Sequence, residues 1–146
     1  MHYIEVIFSI CILSLMSYQL CFNNLARDEY LVNCEAIRLV SALEEVQERS
    51  RYCSYIKSSD NMPSCIIYKD KYVIHRSAND YETYYLPTDV KITVYGSSNG
   101  FVYQQKSLYG LVTNKTIRIY KNSTSKYIII NRVGRIRINK LYAESN

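Results

Sequence analysis

His75, Glu82 and Arg118 are the residues from which acid–base chemistry on a phosphate could be assembled. An imidazole or a carboxylate moves the proton of an attacking hydroxyl. A guanidinium stabilises the charge that builds on the phosphoryl oxygens. The other histidine, His2, lies in a segment expected to be removed, so the mature chain keeps one imidazole. It therefore lacks the two-histidine pair of many secreted nucleases. No Gly-rich phosphate loop, nucleophile elbow or Cys/His metal spacing occurs, and neither a cofactor nor a metal is expected. The plain alternative for His75 is a structural histidine at a strand end.

A second kind of chemistry is suggested by charge. Residues 101–146 hold nine Lys and Arg against one acid, Glu144, whereas residues 22–100 hold nine bases and eleven acids. Such asymmetry points to an anionic partner or, more plainly, to a solvated basic face. Arg118, Arg135 and Arg137 alternate with apolar residues, as do Tyr120 and Tyr142. They share one sheet face only if strand register allows it. If it does, rings beside guanidiniums suit single-stranded nucleic acid, because bases stack while cations hold phosphates. The competing reading is an ordinary polar outer face.

The elements that must position these residues follow from periodicity. Asn33 can cap a helix running from about Cys34 to Arg49, with Glu35 in its first turn. Ala36, Leu39, Val40, Leu43 and Val46 form its apolar stripe. Thereafter the period becomes two. Cys65–Tyr68 and Tyr72–His75 predict a hairpin around Lys69-Asp70-Lys71. Val90–Tyr95 is a strand, and Asn99-Gly100 signals a hairpin turn into Phe101–Gln104. Thr116–Tyr120, Tyr127–Ile130 (central, being continuously apolar) and Gly134–Tyr142 complete five to seven antiparallel strands. The fold class is α+β, one amphipathic helix packed on an antiparallel sheet.

Val6–Met16 is an apolar run of eleven residues. It rises about 16 Å as a helix, short of a ~30 Å bilayer core, and reads as a secretory signal peptide. Residues 1–20 are assigned to it, with cleavage between 17 and 22, and residues 21–146 to one domain. Secretion makes Cys34, Cys53 and Cys65 disulfide candidates, joined by Cys21 if cleavage precedes it. Asn114-Lys115-Thr116 and Asn122-Ser123-Thr124 are glycosylation acceptors. Of 146 residues, 48% are apolar and 21% charged, which excludes disorder; sixteen Tyr and no Trp favour strands.

The segment Tyr72-Val73-Ile74-His75-Arg76-Ser77-Ala78-Asn79-Asp80-Tyr81-Glu82 resembles the Tyr-Pro-His-Lys-x-Asn-Asn-Tyr-Glu segment of the fungal guanyl-specific ribonucleases. Thr116–Asn122 resembles that family's Asp-Arg-Val-Val-Phe-Asn strand. The resemblance implies a catalytic role for His75, a base-holding role around Tyr81 and Glu82, and phosphate binding by Arg118. The departures are specific. Leu86-Pro87 follows Tyr85, so the family's general-base Glu is absent, and Ile128-Ile129-Ile130-Asn131-Arg132 stands where its second His would be. The family's C-terminal cysteine is missing as well.

Scaffold kept and chemistry lost is a pattern similar to the ribonuclease-like secreted effectors of powdery mildew fungi. The resemblance implies a secreted, non-catalytic protein, possible delivery into host cells, and binding of RNA or host proteins. His75, Glu82 and Arg118 are then vestigial, and the binding candidates are Arg118, Tyr120, Arg135, Arg137 and Tyr81. The expected product is a monomer without membrane contact. Two rival expectations are an active guanyl-preferring endoribonuclease and a small extracellular interaction protein with no nucleic-acid role.

Overall fold

No Gly or Pro occurs before Pro63, so nothing in residues 1–55 punctuates a helix. The computed structural model describes residues 2–55, 62–77, 79–97, 100–104 and 114–139. Its helix α1 runs unbroken from His2 to Tyr55, about 80 Å. The expected start at Asn33 is thus corrected: with no breaker upstream, the helix continues through the cap position. Residues 3–20 and 22–27 are exposed. This stretch is long and apolar enough to cross a membrane by length and composition, a test that a signal sequence also passes. Packing begins at Asp28, which meets Lys121 Nζ at 3.2 Å and accepts from Asn122 Nδ2 at 2.7 Å.

From there the helix buries Val32, Ala36, Leu39, Leu43, Val46 and Ser50. Steps of four and three residues keep them on one face. Glu35 is buried beside this stripe and pairs with Arg38 at 3.0 Å.

Among the described residues eight strands follow, in two antiparallel sheets where one was expected. The first sheet contains β1 (Ser64–Ile67), β2 (Lys71–His75), β3 (Tyr81–Tyr85) and β5 (Phe101–Tyr103), in the order β3-β2-β1-β5. The second contains β4 (Lys91–Val94), β6 (Lys115–Lys121), β7 (Thr124–Ile130) and β8 (Ile136–Asn139), in the order β4-β6-β7-β8. The β1–β2 hairpin and the interior place of the apolar run in β7 match the expectation. The turn signal at Asn99-Gly100 does not close a hairpin. β4 pairs with β6 and β5 pairs with β1, so this connection passes between sheets. Asn99 itself lies outside the described residues.

Alternation sets two faces on each sheet. Cys65, Ile67, Tyr72, Ile74 and Tyr103 of the first sheet, and Ile92, Val94, Ile117, Ile119, Ile128 and Ile130 of the second, join the helix stripe in one core. The helix touches β1 of one sheet and β6, β7 and β8 of the other. At the seam Ile92 N donates to Lys69 O at 2.8 Å, and within the first sheet Leu86 N extends the β2–β3 ladder to Asp70 O at 3.0 Å. Arg76 clamps helix to sheet. Its Nε donates to Glu45 and its Nη2 to Glu82, both at 2.8 Å.

The disulfide candidates carry no bridge: Cys34, Cys53 and Cys65 are free thiols. Cys34 and Cys53 lie nineteen residues apart on one helix, about 28 Å, far beyond disulfide reach. Cys65 is enclosed in the core, where burial pushes its thiol up to about 12.

Candidate nucleic-acid interface

A two-residue turn, Asn122-Ser123, joins β6 to β7, with Lys121 opposite Thr124. Asn122 takes a φ of 51°, a left-handed conformation that Asn tolerates. This turn fixes the register of the whole hairpin, placing Arg118 directly opposite Tyr127. Tyr120 follows on the same face two residues along. Arg118 therefore lies between two rings, 5.0 Å from the Tyr120 centroid and 5.9 Å from that of Tyr127. Its Nε is buried with no hydrogen-bond partner among the described residues. The guanidinium makes cation–π contacts with both rings.

The same face extends across the sheet. Lys91 stands opposite Tyr120, Thr93 opposite Arg118, and Arg137 opposite Ile129. Lys91 and Arg137 are exposed. Arg135 precedes β8 and is also exposed; its backbone N–H donates to Asn131 Oδ1 at 2.8 Å. Among the described strand positions of this outer face none is acidic. The register thus brings Arg118, Tyr120 and Arg137 onto one face. Tyr142 lies outside the described residues. Tyr127 is a member that periodicity missed, because the run Tyr127–Ile130 reads as uniformly apolar.

The acid–base candidates are distributed differently. His75 stands opposite Tyr81 on the outer face of the first sheet, their rings 5.7 Å apart. Glu82 is opposite Ile74 and so points to the other face. It is occupied there. A hydrogen bond with the Tyr84 hydroxyl, then Arg76, holds its carboxyl below its ordinary value. His75 and Glu82 are on opposite faces, and Arg118 belongs to the other sheet. Among the described residues no group of three or more His, Cys, Asp or Glu could hold a metal ion. Arg76, unremarked in the sequence, proves the hub of the carboxylates instead.

Asn114 is exposed just before β6. Asn122 is exposed at the hairpin tip, with its amide nitrogen donating to Asp28. Compared with protein-family models, curated proteins and solved structures, the chain has no match.

Proposed function

We propose that the protein is a secreted, non-catalytic, ribonuclease-like binding protein whose ligand is single-stranded RNA. The outer face of the β4-β6-β7-β8 sheet is its binding surface. One observation carries this reading: Arg118 is stacked between Tyr120 and Tyr127, on a face that also presents Lys91 and Arg137 and no acid among its described strand positions. Phosphates are held by the cations. The tyrosine rings offer stacking surfaces that every base can use.

The non-catalytic part is supported by the separation of His75, Glu82 and Arg118 over two faces and two sheets. General acid–base catalysis needs its groups within reach of one substrate proton, and Arg76 already occupies Glu82. Secretion is supported by the exposed apolar start of α1. The helix-on-sheets architecture is the coarse part of what the ribonuclease resemblance implies.

The test is fluorescence anisotropy with a labelled single-stranded RNA. The native protein binds and leaves the RNA intact, and replacing Lys91, Arg118 and Arg137 together by Gln weakens binding at least tenfold. Guanine-specific cleavage contradicts the non-catalytic reading. Binding that ignores the triple substitution contradicts the assigned surface, and no binding at low salt favours a protein-binding role.

A further inference from the structure

Between the two sheets, where β1 ends beside β4, lies a half-open hollow of about 230 Å³. Its floor is apolar: Ile67, Ile92 and Val94, all buried. Tyr68 and Tyr120 stand on its lining, one from each sheet. Gly100 also lines it, with a φ of 107°; a Cβ there would come within 3.2 Å of the Ile67 carbonyl oxygen. Glycine keeps this wall thin. Thr93, Ser97 and Lys69 supply polar groups, and among the described residues no acidic one lines the space.

Each tyrosine carries a cation. Lys71 Nζ lies 5.6 Å from the Tyr68 centroid, and the Arg118 guanidinium lies 5.0 Å from that of Tyr120. Neither cation lines the hollow. A cation thus neighbours each of the two rings on the lining, and Lys71 lies equally near the Tyr85 ring. An apolar floor between two rings suits a flat aromatic group, and flanking positive charges suit an anion on each side of it. A nucleotide within a strand has that pattern, one planar base between two phosphates.

We infer that the hollow is a subsite for one unpaired base of single-stranded RNA, with the adjoining phosphates on Lys71 and Arg118. The subsite rests on the RNA-binding reading above and extends the path from the second sheet onto the first. Lys69 and Thr93, both on the lining, supply polar groups for the base edge.

The experiment walks a single abasic position along an RNA octamer and measures affinity for the purified protein by anisotropy. One position binds about tenfold more weakly than the intact octamer, because the base that fills the hollow is missing. Tyr68→Ala weakens the intact octamer by a similar factor, no longer distinguishes that abasic octamer, and leaves the salt dependence unchanged. Tyr68→Phe behaves as native. Tyr68 is 38% exposed, and circular dichroism checks that its variants fold; if Tyr68→Ala does not, Tyr68→Leu, which keeps bulk without an aromatic face, takes its place. If all abasic octamers bind like the parent while the Lys91/Arg118/Arg137 substitution still weakens binding, the subsite is overturned and the RNA surface stands. If no octamer binds at low salt, both fall.

Discussion

Leu43→Ala should lower stability far more than any surface change on the same helix. Leu43 is fully buried in the middle of the stripe that faces both sheets. Removing three of its side-chain carbons loses their transfer free energy and leaves a void that rigid strands cannot close. Such a change costs about 2–5 kcal/mol, so roughly 3 is expected here. For the roughly 110 residues from Asp28 to Asn139, the entropy of unfolding at the midpoint is about 0.23 kcal/mol/K. The melting temperature should then fall by about 13 °C. Ile37, on the same helix but 51% exposed, provides the control: Ile37→Ala should shift it by no more than about 2 °C. Thermal unfolding followed by circular dichroism reads both, and one transition is expected because a single helix seals both sheets. Equal shifts for the two variants, or separate transitions, would refute the shared core.

Three further outcomes follow from the side-chain environments. Ellman's reagent at pH 8 should label Cys34 and Cys53 in the native protein and Cys65 only on unfolding, since burial raises the Cys65 thiol to about 12; prompt labelling of all three refutes the enclosed position. The hydrogen bond from Arg76 holds the Glu45 carboxyl below its ordinary value of 4.5. A depressed carboxylate adds stability that is present above the unfolded value and lost as pH falls through the folded one. Denaturant titrations should therefore show stability falling below about pH 4.5, and less steeply in Glu45→Gln; an unchanged slope counts against the clamp. A chain beginning at residue 24 should melt within about 2 °C of the longer one, because residues 3–20 and 22–27 are exposed; a large drop would place part of the core in that segment.

Much of the fold was legible where the signal is local. The stripe Ala36, Leu39, Leu43 and Val46 announced the buried helix face, and Val40, included with them, is only half-buried. The Lys69-Asp70-Lys71 punctuation announced the first hairpin. Strand Tyr81–Tyr85 was missed because YETYY places exposed side chains at its edge and shows no clean alternation. The partition into two sheets was not legible either. Gly100 marks a turn, but long-range pairing decides that β5 joins β1 rather than β4. The Arg118 site was half legible. Its alternation was plain, while Tyr127 needed the register set by Asn122-Ser123, arithmetic that a two-residue loop makes available once it is assumed. The opposition of His75 and Glu82 to each other's faces follows from their neighbours across β2 and β3, which no local spacing specifies.

The salt dependence of RNA affinity tests the central claim most directly. Lys91, Arg118 and Arg137 on one face correspond to about three phosphate contacts, and each single-strand contact contributes a log–log slope near −0.7. The native protein should show a slope near −2, so that affinity falls about 20-fold between 50 and 200 mM salt. A slope near zero, or the absence of binding at low salt, would contradict the account.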